Sequence, residues 1–261
     1  HSHAGVGDAI FDSVPETLAG IVQARLDSLG TAAKRLLKAG SVFGETTWVG
    51  GIAAVTGESE DAISASAAEL VRAEILELLP RGRFHGQVEL VFRHALLRDA
   101  AYELWFEAER VEAHRRAALW LEQNGERDPL TLARHFARGG LAMQAIPHYL
   151  AAAEAALTGS DFEGATASAE RALESGAGGA LRGRLLLTIA EAKRWQGDLE
   201  GALAAGKEAA VLFTPGSRFW FGAIRECVAA HGRLGHKLAI LPLGARALAV
   251  TAEPGAESAQ I

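Results

Sequence analysis

Cys227 and His231 stand four residues apart in a stretch of helical spacing, so one helix face would carry both a thiol and an imidazole. Nucleophilic chemistry from such a pair also needs a group that orients the imidazole and donors for an oxyanion. No motif in the chain supplies either, and Cys227 reads as a buried structural cysteine. His135 and His148, like His231 and His236, lack the carboxylate or cysteine partners at ligand spacing that a zinc site requires. The chain contains no Gly-x-x-x-x-Gly-Lys-Ser/Thr loop, and no acidic residue closes an apolar strand as a magnesium ligand would. The expectation is a non-enzymatic chain with no catalytic residue, no metal and no cofactor of its own.

Nucleic acid is the next partner to weigh. The 261 residues carry a net charge of -6 and a pI near 5.9, which disfavours a broad surface for nucleic acid or anionic membrane. The stretch Glu58 to Glu74 holds Glu58, Glu60, Asp61, Glu69 and Glu74 against Arg72 alone, which would repel a duplex. Arg81 and Arg83 could touch a phosphate, but two arginines are a small footprint. Trp105, Trp120, Trp195 and Trp220 lie in helical stretches and are expected to anchor cores.

These residues need elements to hold them. Hydrophobic residues make up 49% of the chain, enough for a sizeable core, and the Ala, Leu, Arg and Glu richness favours helix. The single cysteine excludes an internal disulfide and suits a reducing cytosol, so a cytoplasmic location is expected. No apolar run has membrane-spanning length, and no signal peptide is read. His1-Ser2-His3 reads as the remnant of a purification tag. Ser13, Pro15 and Glu16 form a capping box for a helix that ends at Gly30. Thr31 starts a second helix, Thr46 or Thr47 a third that stops at Gly57, and Ser59 a fourth that runs to about Ala73. The period then changes: Ile75 to Pro80, a turn over 81–86, and the alternating Gln87 to Phe92 predict a β-hairpin. Three helices followed by a hairpin describe a winged helix. Helices over 94–105 and 110–123 follow, then a string of helices with short breaks.

That string repeats itself. Ala153-Glu-Ala155, Asp161-Phe-Glu-Gly-Ala165 and Ala172 return 37 residues later as Ala190-Glu-Ala192, Asp198-Leu-Glu-Gly-Ala202 and Ala209. Small residues at these offsets let two helices approach closely, and such hairpins bury their apolar faces only by stacking on neighbours. A partial earlier copy runs through Ala133, Gly140, Ala145, Tyr149 and Ala152. A degenerate later one spans about 218–250, with Pro242 in mid-helix.

The pattern resembles the tetratricopeptide repeat. Ala153 and Ala190 match its small first-helix residue, Gly197 its turn glycine with Ser160 in the other copy, and Ala165/Ala172 and Ala202/Ala209 its second-helix pair. In that register Arg184, Leu187, Glu191, Arg194 and Trp195 occupy first-helix positions lining the concave groove, which implies a protein or peptide partner there. The arginines would clamp a carboxylate, and Trp195 would anchor an apolar side chain.

Three further segments resemble bacterial STAND-type signalling ATPases, of the kind fused to serine/threonine kinase, nucleotide cyclase or LuxR-type domains. Val14 to Leu29 is similar to the segment that leaves the ATPase lid. Phe92-Arg-His-Ala-Leu-Leu-Arg-Asp-Ala-Ala-Tyr102 is similar to the motif after the wing. Arg110 with His114, then Ala133-Arg-His135 and Gly140, is similar to the run leading into the repeats. The resemblance implies an ATPase core outside this sequence, with ATP or ADP and magnesium bound by the parent protein. The winged helix would dock on that core, and His94 would contact bound ADP. The organisation expected is then mainly α. A tag and leader occupy 1–13, a connecting helix 14–30, a winged helix with following helices 31–126, an α-solenoid of helical hairpins 127–252, and a disordered tail 253–261. The expected function is regulatory protein–protein interaction, with a DNA-binding regulator or a free-standing repeat adaptor as alternatives.

Overall fold

The computed structural model describes residues 16–260, with side chains from Gly20 onward. The capping box expected at Ser13 and Pro15 lies outside the described residues. Among the described residues the chain is mainly α-helical, with three short strands, and it divides into two compact units. The first runs through Arg127 and takes in Arg138–Gly140; the second holds Asp128–Ala137 and continues from Leu141.

The first unit contains α1 (Glu16–Asp27), α2 (Thr31–Ser41), β1 (Thr46–Trp48), α3 (Val49–Thr56), α4 (Glu60–Arg72), β2 (Leu76–Leu78), β3 (Glu89–Phe92), α5 (Ala95–Glu103) and α6 (Glu107–Gln123). Gly57, at φ 79°, ends α3 in the left-handed conformation that glycine adopts without a Cβ penalty. Ser59 caps α4 by accepting from the Ala62 amide.

The hairpin β2–β3 forms as the alternation requires, with Leu76 opposite Phe92. The expected third helix is corrected at its start: Thr46–Trp48 is a strand on the other edge of β3, Trp48 opposite Glu89, and the helix begins at Val49. Two β-branched residues and a tryptophan suit a strand better than a helix start. Trp48 packs among Phe43, Phe84 and Trp120, and its indole N–H donates to Glu89 Oε2 at 2.9 Å. With β3 paired on both edges, Glu89, Leu90 and Phe92 are all buried, so the polar–apolar alternation does not become an exposed and a covered face. A second correction falls at Trp105, which sits in the turn after α5 because its indole N–H donates to the Lys38 carbonyl.

The second unit is built from α7 (Pro129–Arg138), α8 (Ala142–Thr158), α9 (Phe162–Glu174), α10 (Gly179–Gln196), α11 (Leu199–Leu212), α12 (Arg218–Arg233), α13 (Lys237–Ala249) and the short α14 (Glu257–Gln260). From α8 to α13 each helix packs on the next across a short turn. Positions 37 residues apart have matching environments. Ser160 and Gly197 both turn left-handed, at φ 63° and 88°. Asp161 and Asp198 cap α9 and α11 through the Gly164 and Gly201 amides, each at 2.9 Å. The glycine of this Asp-x-x-Gly cap has a steric reason: a Cβ on Gly164 or Gly201 would lie 2.1 or 2.3 Å from the capping carboxylate. Ala153, Ala165, Ala172 and their copies Ala190, Ala202, Ala209 are all fully buried.

The tail expected to be disordered from Glu253 is ordered through Gln260. The Glu253 amide donates to Gly216 O, Ala256 is buried beside Trp220 and Phe221, and Gln260 Nε2 donates to Ala247 and Val250 carbonyls. One small apolar residue and these backbone bonds outweigh the polar composition.

Candidate functional site

The face of α10 that carries Arg184, Leu187, Glu191 and Arg194 follows the 3-4-3 spacing of neighbours on a helix surface. It lies between α8 and α12, because α10 packs on both as well as on its sequence neighbours. Arg184 reaches each side: a guanidinium nitrogen lies 2.5 Å from Glu154 on α8, and the group rests over the Phe219 ring of α12 at 5.4 Å. Leu187 lies against Gly222, where a Cβ would come within 3.3 Å of its methyl. Arg194 donates to Glu226 of α12 at 2.5 Å, with Glu191 3.9 Å away, and covers the Trp195 ring at 4.8 Å. Arg233 closes the same corner by donating to the Arg194 carbonyl at 2.7 Å.

The arginines are therefore corrected as free carboxylate clamps. Glu154 and Glu226 already fill that role, and Glu226 is 2% exposed, so breaking its pair would leave a carboxylate buried without its partner. Trp195 is corrected as a core anchor: it is 56% exposed, stacked on Phe162 with ring centroids 6.0 Å apart and planes within 10°. In contact with Phe162 and Arg194, the indole is an exposed apolar surface, with the partly exposed Glu191 carboxylate one turn away. Sequence reasoning missed Glu154, Glu226 and Phe162. Glu154 had a signal, since it is the copy of Glu191 one repeat earlier; Glu226, beside Arg225, had none.

Cys227 sits beneath Gly206, whose added Cβ would lie 3.0 Å from Sγ, and burial pushes its thiol up to about 11. The His231 ring meets His236, Nδ1 to Nδ1 3.4 Å, and burial, then Lys207 and His236, hold its pKa below the usual histidine value. Among the described residues no group of three or more His, Cys, Asp or Glu could hold a metal ion, and no helix is long and apolar enough to cross a membrane.

In the first unit, His94 is exposed at the start of α5, and its side chain makes no capping bond. Of the other residues of that resemblance, Tyr102, Arg110 and His114 meet one another. Tyr102 Oη lies 2.8 Å from His114 Nε2, the Arg110 guanidinium covers the Tyr102 ring at 4.6 Å, and Arg115 Nε donates to the Gly139 carbonyl beside Gly140. Burial raises the Tyr102 pKa, with Arg138 and Arg110 opposing it. A cavity of about 380 Å³ is lined by Val55, Trp105, Glu109, Glu112 and Arg116. Its carboxylates are already paired, Glu109 with Lys38 and Glu112 with Arg115 and Arg116. Of the expected wing arginines, Arg83 pairs with Glu126, and Arg81 is exposed.

No family model, no curated protein and no solved structure matches the chain.

Proposed function

We propose that the chain is a regulatory protein–protein interaction module of a STAND-type signalling ATPase. In this reading α8, α10 and α12 are first helices of tetratricopeptide-like hairpins and present the partner-binding face. The helices and hairpin of 31–126 form a winged helix that relays to the nucleotide-binding core. The observation that carries the binding role is Trp195, an exposed indole in contact with both the Phe162 ring and the Arg194 guanidinium. A pre-ordered aromatic loses little freedom on binding and is the residue type that most often dominates an interface. Because Arg184 and Arg194 are taken, the partner chemistry favoured is an apolar side chain on Trp195 and a cationic group on Glu191.

The relay rests on the resemblance of Val14–Leu29 and Phe92–Tyr102 and is an associational argument. Its mechanism would be a docking equilibrium, which the partner shifts by binding one state more tightly. Duplex binding is disfavoured because Glu60, Asp61, Glu69 and Glu74 are all exposed around α4 while Arg83 is held by Glu126.

Peptides selected from a random display library on the whole chain provide the test. Enriched sequences are expected to pair an apolar with a basic residue, and Trp195→Ala and Glu191→Lys should each weaken them by about tenfold or more, roughly 1.4 kcal/mol. Absence of enrichment, or binders indifferent to both substitutions, refutes the binding face. For the relay, deletion of 127–261 from the parent ATPase should abolish the partner's effect on hydrolysis; an unchanged response refutes it.

A further inference from the structure

The contacts of α12 fix which way each of its sides points, at about 100° of rotation per residue. Phe219, Gly222 and Glu226 meet α10, at Arg184, Leu187 and Arg194. Ala223 and Cys227 meet α11 at Gly206. Arg218 and Arg225 then fall on the flank opposite α11, next to the α10 contact, and both are exposed. Arg233 stands at the far end of the same contact and donates to the Arg194 carbonyl at 2.7 Å. The charges on this side of α12 do not balance. Glu226 is the only acidic residue of α12, and Arg194 already holds it. Its other oxygen lies 3.7 Å from Arg225, whose side chain is 67% exposed. Arg218 rests over the Phe219 ring at 4.7 Å, and Arg233 uses one nitrogen on a carbonyl; neither pairs with a carboxylate among the described residues. A chain of net charge -6 therefore keeps three arginines along one helix with a single, already committed carboxylate among them.

We propose that this row binds an acidic segment of the partner protein, with Asp and Glu side chains on Arg218, Arg225 and Arg233 and an apolar residue on Trp195. The inference rests on the binding face proposed above and extends it from α10 onto α12. Arg233 and Trp195 both touch Arg194, so the apolar residue belongs at the Arg233 end of the row. At about 1.5 Å per residue Arg218 and Arg233 stand roughly 22 Å apart along the helix, a span that an extended chain of about seven residues covers. A guanidinium takes a carboxylate in a two-pronged hydrogen bond, which sets orientation as well as attraction. Complementary charge of this kind selects the partner more than it tightens the complex. A nucleic acid fits the row less well, because Glu154, Glu191 and Glu226 lie among the arginines and would repel a phosphate backbone.

Parallel selections from a random peptide display library, on the whole chain and on its Arg218→Gln/Arg225→Gln variant, test the proposal. Both positions are exposed, so the variant should keep the far-UV circular dichroism spectrum and melting temperature of the parent. Sequences enriched on the parent are expected to carry Asp or Glu repeatedly within about seven residues of the apolar one, and those enriched on the variant to lose the acids and keep the apolar residue. A synthetic peptide of the leading sequence should bind the variant about tenfold more weakly. Its binding should recover in part on Arg218→Lys/Arg225→Lys and should weaken as salt rises from about 50 to 200 mM. Peptides that need Trp195 but show no acidic enrichment overturn this proposal and leave the α10 face standing. Absence of enrichment, or binders indifferent to Trp195 and Glu191, brings down both. A single-stranded oligonucleotide that displaces the acidic peptide through the same arginines also overturns it, since the row would then read phosphate.

Discussion

Removing the Arg194 guanidinium should cost far more than a surface ion pair, because it strands a buried carboxylate. Glu226 is 2% exposed and accepts from Arg194 at 2.5 Å; its second oxygen lies 3.7 Å from Arg225, which is largely in water. Arg194→Met keeps an apolar stem beside Trp195 and deletes the charge. Breaking one partner of a buried pair typically costs about 3–5 kcal/mol, and the remaining Arg225 contact argues for the lower end, about 3 kcal/mol. The loss should be read from urea unfolding with hydrogen exchange to localise it, appearing in α10–α12 and not in the first unit. The double variant Arg194→Met with Glu226→Leu removes both charges and should return to within about 1 kcal/mol of the parent, since a desolvated pair adds little over apolar packing. A single-variant loss below about 1 kcal/mol, the range of an exposed pair, would refute the reasoning. So would a double variant whose loss equals the sum of the two singles.

Cys227, with its thiol pushed up by burial to about 11, carries only about one thiolate per thousand at pH 8. Maleimide should label it slowly in the native chain and rapidly in denaturant, and fast native labelling contradicts the burial argument. His231 has a folded pKa below the ordinary 6.5, first through burial and then through Lys207 and His236, with Glu200 opposing. The unfolded chain therefore takes up this proton first, so the contribution is full above about 6.5 and is lost as pH falls from there towards the folded value. His231→Gln should flatten the decline in stability between about pH 7 and 5; an unchanged slope counts against it. Gly183→Ala would place a Cβ 2.8 Å from two Phe213 ring atoms. The overpacking should outweigh the gain in helix propensity and leave a net loss of about 1–2 kcal/mol; a rise in melting temperature would show that the ring can yield.

The elements whose signals are local were readable from sequence. Ser59 caps α4, Gly57 and Gly197 end helices in the left-handed region, and the 37-residue self-similarity fell on residues with matched burial. What failed depended on tertiary partners. Thr46–Trp48 reads as a helix start until β3 offers it a ladder. Trp105 reads as helical until the Lys38 carbonyl draws its indole N–H into the turn. The alternation in Gln87–Phe92 predicts one wet face, yet a strand paired on both edges buries Glu89 against Trp48. At the candidate site the face of α10 could be laid out from spacing alone. The charge state of that face could not, since Glu154 and Glu226 come from helices 30 and 32 residues away and decide that the arginines are occupied.

The same distinction bears on α13, where the sequence keeps the pattern of a covered helix but the local supports have been withdrawn. α9 and α11 begin on aspartate caps, whereas α13 begins on His236, which makes no side-chain cap. Pro242 lies inside α13 and removes one amide donor from the helix, and no residue of α13 is fully buried. A helix with few buried contacts, no cap and an internal proline belongs to the low-stability end of a fold. Yet Leu241 and Leu248 hold the positions of Leu203 and Ala210, which are buried on α11. Amide exchange in α13 should therefore be the fastest of the second unit's hairpin helices. If α13 exchanges as slowly as α11, its contacts with α12 alone hold it, and the missing cap and the proline cost it little.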